Sequence, residues 1–150
     1  MELFNNYEDC DHFVTFTIKP ALYDENCRTQ IKKTIPHILK TLQNIANKWI
    51  IVAELTKQCN IHYHAMVQYK DEDISEFQLI DQLKDNKYLG NVFIKHSSAY
   101  VNKNTEYLQK DILITQKKLN PKGKSNIPVI WESAKYNHNT KHILLIFICF

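Results

Sequence analysis

The chain has 150 residues, of which 44% are hydrophobic and 23% charged, which suits one folded domain and argues against intrinsic disorder. Its 2 glycines nearly exclude glycine-rich phosphate loops, and a formal charge of +3 is compatible with nucleic-acid binding but too small to argue for it alone. The 4 scattered cysteines suggest neither a zinc knuckle nor a disulfide framework, so an intracellular, reducing location is expected. The apolar end at 142–150 is far shorter than the ~20 residues of a membrane span, so no membrane partner is expected.

The spacing of apolar residues predicts alternating strands and helices. In chain order these are a strand at 12–19, a helix at 26–48, a hairpin of strands 48–55 and 61–69, a short helix at 75–84, a strand at 91–96 and a helix from 98 to about 111. Pro36 either kinks the first helix or marks its start. This order favours an α+β domain, with an antiparallel sheet and helices on one face.

The pattern degrades after about Thr115. Residues 117–124 are basic and contain Pro121 and Gly123, which is typical of a linker or arm. We therefore expect a catalytic domain at 1–115 and a basic linker and tail of uncertain role at 116–150.

His62 and His64 are the most informative pair in the sequence. On a strand, residues two apart point to the same side, so both imidazoles would project from one face, and imidazoles suit a divalent metal. With 7 histidines, chance alone gives roughly 0.3 such pairs, so two surface histidines on a sheet remain an alternative.

Glu54 would complete this site. If the hairpin turns about Gln58, Glu54 faces His62 directly, and opposed residues share a face of the sheet. Three protein ligands with open positions are typical of a catalytic metal site. The mixed nitrogen and oxygen set suits Mn²⁺ or Mg²⁺. The alternatives are pairing of Glu54 with Lys57 and a hairpin register shifted by one residue.

Tyr107 is the candidate nucleophile on the last predicted helix. Lys103 and Lys110 lie one turn before and after it on the same helix face, and cations lower the pKa of a phenol. Tyr100, followed by Lys103, is the fallback. Composition alone predicts roughly one Tyr-x-x-Lys, so an amphipathic helix with solvated lysines is the competing interpretation.

Taken in order, these features resemble the HUH endonuclease domain of replication-initiator (Rep) proteins of small circular single-stranded-DNA viruses and related rolling-circle plasmids. An apolar strand at 13–20 corresponds to the first motif, His62 and His64 to the second, and Tyr107 with Lys110 to the third. The match spans roughly Asp11 to Asp111. No single motif is specific, but the ordered set is.

The resemblance implies a five-stranded, RRM-like antiparallel sheet with the metal and the tyrosine on one face. It also implies nicking and rejoining of single-stranded or stem-loop origin DNA through a 5′-phosphotyrosine link, which starts rolling-circle replication. Candidate DNA contacts in the first motif are Phe16, Thr17 and Lys19. Host replication proteins would be partners, and a viral protein would act in the host nucleus, otherwise in the cytoplasm.

The chain departs from the family pattern in two places. Ile18, Lys19 and Pro20 stand where many relatives have Asn-rich sequence. Gly123-Lys124-Ser125 looks like the end of a phosphate-binding loop, but Lys118 replaces its first glycine, so we expect a basic arm and a nuclease-only or truncated initiator.

Two other functions compete with the initiator. One is a non-catalytic single-strand-binding module, in which Phe13, Phe16 and Tyr63 would stack on bases. The other is a transposase of the same catalytic superfamily.

Overall fold

The computed structural model describes residues 2–71, 76–96, 98–121 and 127–136, with side chains described over 4–71, 78–95, 105–121 and 127–136. Five strands and four α-helices are present in these ranges: β1 His12–Ile18, α1 Cys27–Ile45, β2 Ala46–Leu55, β3 Ile61–Tyr69, α2 Glu76–Leu83, β4 Leu89–His96, α3 Ser98–Leu119, β5 Ile130–Glu132 and α4 Ser133–Tyr136. Short 3₁₀ helices span Glu2–Tyr7 and Pro20–Leu22.

The five strands form one antiparallel sheet in the order β4-β1-β3-β2-β5. This confirms the predicted α+β class. The predicted hairpin of β2 and β3 is confirmed together with its register, because Glu54 pairs with His62. The loop closes with the amide of Thr56 donating to the carbonyl of Asn60, and Cys59 in the left-handed region with φ of 62° makes the turn.

Both faces of the sheet carry a helix, which corrects the expectation of helices on one face. α1 packs on the face that presents Tyr63, where the hydroxyls of Tyr63 and Thr34 lie 2.6 Å apart. α3 lies across the opposite face, above β2 and β1. That second face also has apolar rows, including the buried Phe13, Ile50 and Met66, and these need cover from water.

Pro36 lies inside α1 and does not start it. The helix begins at the N-cap Asn26, whose side chain accepts a hydrogen bond from the amide of Thr29. Ile35 and Ile38 on either side of the proline are fully buried, and this packing offsets the backbone hydrogen bond that proline cannot make.

The expected domain end at residue 115 is corrected. α3 continues to Leu119, and β5 then pairs with β2 at the edge of the sheet. Trp131 of β5 is only 1% exposed and packs edge-on against Tyr63. The apolar content of this segment is buried in the common core, and its strand is too short to be recognised from sequence alone. Residues 137–150 of the expected tail lie outside the described residues.

Candidate metal centre and nucleophile

The predicted trio of Glu54, His62 and His64 converges on one face of the sheet. Glu54 Oε2 lies 3.0 Å from His62 Nε2 and 2.8 Å from His64 Nε2. One ligand atom from each residue lies within 4.8 Å of the others. Strand alternation places the two histidines side by side, and the hairpin register brings the carboxylate opposite them.

The electrostatics of Glu54 also fit a cation. Burial acts to raise the pKa of its carboxyl, but the hydrogen bonds and proximity of His62 and His64 outweigh burial and hold that pKa well below its ordinary value. The carboxylate is therefore ionised and ready to bind. Two imidazoles and one carboxylate make a donor set that suits a divalent ion.

Thr15 holds one of the histidines from behind. It pairs with His64 across β1 and β3, and its Oγ1 lies 3.0 Å from His64 Nδ1. The ring of Phe13 stacks on the same imidazole at 5.3 Å. When Nδ1 donates its hydrogen to Thr15 Oγ1, the lone pair of Nε2 points to the side of Glu54, as a metal ligand requires.

Tyr107 reaches this cluster from α3. Its hydroxyl donates to Glu54 Oε1 at 3.2 Å, and its ring lies edge-on to His64 at 6.4 Å between centroids. The side chain is 50% exposed, so the phenol oxygen is at the cluster and still open to a substrate. The helix delivers the tyrosine from its flank, since Leu108 and Ile112 form its buried side.

The pKa of Tyr107 differs from the expectation that neighbouring lysines would lower it. Partial burial, together with the carboxylates of Glu54 and Asp111, raises the pKa of this phenol to about 12. Asp111 lies one helical turn after Tyr107, whereas the side chain of Lys110 is exposed. The groups that act on the phenol are therefore negative, and they call for a cation.

Asp111 adds a second carboxylate beside the trio. Its pKa is raised by burial and by the nearby charge of Glu54. Its Oδ2 is buried and meets no hydrogen-bond partner among the described residues. This concentration of negative charge is what a bound divalent ion would neutralise, so the residues present fit a metal.

The three candidate DNA contacts of β1 fare differently. Phe16 is fully buried on the face that α1 covers, so its ring is inaccessible to bases, which corrects that expectation. Thr17 Oγ1 accepts from the amide of Asn91 at 2.7 Å, and the ammonium of Lys19 donates to the carbonyl of Asn86. Both side chains are partly exposed and lie near the end of β1.

Other residues of interest were not all described. The side chains of Tyr100 and Lys103 lie outside the described residues, so the fallback nucleophile and the supporting lysine stay predictions. The sequence interpretation missed Thr15 and gave Asp111 no role. A signal existed for Asp111, at four residues after Tyr107 on one helix face, but Thr15 depends on the pairing of β1 with β3.

None of the described helices has both the length and the apolar character needed to cross a membrane. Residues 11–139 match the family model for the ORF2 type of replication-associated protein. No curated protein and no solved structure matches the chain. The matched range covers most of the chain and contains the whole Glu54, His62 and His64 cluster together with Tyr107. The chain therefore belongs to the ORF2-type family of replication-associated proteins.

Proposed function

We propose that this protein initiates rolling-circle DNA replication by nicking single-stranded DNA with Tyr107 at a divalent-metal site formed by Glu54, His62 and His64. One observation carries the proposal. The hydroxyl of Tyr107 and the imidazoles of both histidines all meet the same carboxylate, that of Glu54. A nucleophile and a ligand set at one point are what metal-assisted phosphoryl transfer needs.

The residues divide the reaction among them. The Tyr107 oxygen attacks the phosphorus, the bond from phosphorus to the 3′ oxygen breaks, and a 5′-phosphotyrosine link and a 3′-hydroxyl result. The phenolic proton has two carboxylate acceptors beside it, Glu54 and Asp111. When bound, a divalent ion would supply Lewis acidity toward the scissile phosphate, and Mn²⁺ and Mg²⁺ suit the donor set.

Lys110 serves to hold the phosphate rather than to activate the phenol. Its exposed ammonium lies one turn beyond Tyr107, where it can meet a phosphate oxygen as a point charge. Thr17 and Lys19 stay candidates for further backbone contacts at the end of β1. The link to Tyr107 conserves the energy of the phosphodiester, so a free 3′-hydroxyl can reverse the reaction and rejoin the strand.

The non-catalytic binding module is disfavoured in its original form. Its stacking residues were to be Phe13, Phe16 and Tyr63, and all three are buried in the core. A binding module would also have no use for a tyrosine hydroxyl aimed at a metal cluster.

A nicking assay tests the proposal. Labelled single-stranded oligonucleotides and the same sequence as a blunt duplex are incubated with the protein and Mn²⁺, with and without EDTA. We expect metal-dependent cleavage of the single strand alone, because in-line attack needs an unstacked backbone. His64→Ala should abolish cleavage, whereas His37→Ala, at an exposed histidine of α1, should not. Cleavage that persists in EDTA or in His64→Ala would contradict the metal site.

A further inference from the structure

Phe93 of β4 is an exposed aromatic residue on the same face of the sheet as the candidate site. It is 55% exposed, and it is the one large apolar side chain, among those exposed in the described residues, that lies on a strand of the sheet. Its neighbours Val92 and Ile94 point to the other face and pack against the core. A single exposed apolar side chain is common, so its position has to carry the inference.

The register of the sheet places Phe93 in line with the site. Thr15 pairs with Phe93 on one side and with His64 on the other. Phe93, Thr15 and His64 therefore form one row across β4, β1 and β3. With strands 4.7–4.9 Å apart, the backbone of Phe93 lies ~10 Å from that of His64.

The surroundings of Phe93 are polar and partly basic. Asn91 and Lys95, two residues away on either side, share its face of β4, and both are exposed. α3 crosses the sheet above β1 and β2, and β4 is the edge strand beyond them. An exposed aromatic ring next to a lysine offers a π-face for a base and a cation for its phosphate.

We propose that Phe93 is a stacking platform for one unpaired base of the DNA strand that is cut at Tyr107. The inference rests on the proposed function, and it adds where the bases lie: the strand runs along the row from Tyr107 and His64 across Thr15 to Phe93. A base in a duplex is already stacked on its neighbours, so this contact also favours single-stranded substrates.

Binding without cleavage tests the contact. Fluorescence anisotropy of a labelled single-stranded oligonucleotide of mixed sequence is measured in EDTA, with the full chain. Phe93→Leu keeps an apolar side chain but loses the ring, and it should weaken binding about 5- to 100-fold. Phe93→Trp should bind within about 3-fold of the wild type, since an indole also stacks. Leu113→Ala, which truncates a 62% exposed leucine of α3, is the matched control and should change nothing.

An abasic oligonucleotide separates stacking from backbone contacts. Wild type and Phe93→Leu should bind it equally weakly, because no base remains to stack. The proposal is overturned if Phe93→Leu binds the normal strand as tightly as the wild type, or if the two proteins still differ on abasic DNA. Wild-type protein that binds no single-stranded DNA at all would also overturn it.

The proposed function has a separate readout. If the wild type forms no covalent adduct with Mn²⁺ but the Phe93 variants bind as expected, the nicking function fails and the stacking contact stands. If the wild type nicks DNA and Phe93→Leu binds normally, the stacking contact alone fails.

Discussion

At Glu54, one carboxylate serves three partners. Its Oε2 lies between His62 and His64, and its Oε1 accepts the hydrogen bond of Tyr107. Hydrogen bonds to both imidazoles are what keep the pKa of this carboxyl below its ordinary value in spite of burial. A divalent ion would take the place of those hydrogens, so the metal-free arrangement already resembles the one needed for binding.

Thr15 gives a test of the metal centre at this scale. Thr15→Val removes the hydroxyl near His64 Nδ1 and keeps the shape of the side chain. We expect Mn²⁺ affinity to fall about 10- to 100-fold, because the ring loses the partner that fixes its orientation and tautomer. Isothermal titration calorimetry measures the affinity. Thr15→Ser should bind nearly as the wild type does, and wild-type affinity in Thr15→Val would show that Thr15 does not position the histidine.

At the scale of elements, the β2–β3 hairpin explains why the metal ligands were predictable. A short loop fixes the register of two sequential strands, so the pairing of Glu54 with His62 follows from counting residues about Gln58. The pairing of β1 with β3 and β4 is non-local, and no turn sets it. The positions of Thr15 and Phe93 relative to His64 therefore needed the structure.

The contact between β1 and β4 also depends on a glycine. A Cβ on Gly90 would lie 2.7 Å from Thr17 Oγ1 and 3.1 Å from the carbonyl oxygen of Ile18. The register shifts at this point, where Thr17 Oγ1 accepts from the amide of Asn91. The close approach of the two strands here requires a residue without a side chain.

Gly90→Ala should therefore destabilise the protein by about 1–3 kcal/mol, as overpacking does. Urea denaturation measures the loss. In a Thr17→Ala background the nearest clashing atom is gone, so the same substitution should cost less. An equal cost in both backgrounds would mean that Thr17 is not the neighbour that excludes a side chain.

For the whole molecule, the segment after α3 is part of the fold and not a tail. β5 lengthens the sheet at the β2 edge, next to the strand that carries Glu54. The sequence pattern failed here because a strand of 3 residues shows no periodicity, and its burial depends on pairing with a strand about 80 residues earlier.

Trp131 measures how much this segment contributes. Trp131→Ala should lower the free energy of unfolding by about 3–5 kcal/mol, because the side chain is 1% exposed and packs against Tyr63. Lys135→Ala, at an exposed position of α4, should change it by less than about 0.5 kcal/mol. Urea unfolding of Trp131→Ala at the wild-type midpoint would place β5 outside the cooperative unit.

The most direct measurement for the whole molecule maps the covalent DNA adduct. The protein is incubated with labelled single-stranded DNA and Mn²⁺, digested, and analysed by mass spectrometry. We expect the phosphonucleotide on Tyr107, loss of the adduct in Tyr107→Phe, and an undiminished adduct in Tyr23→Phe, which alters another 50% exposed tyrosine. Tyr100→Phe should lose little activity. A phosphonucleotide on Tyr100, or an adduct that survives in Tyr107→Phe, would contradict the assignment of Tyr107 as the nucleophile.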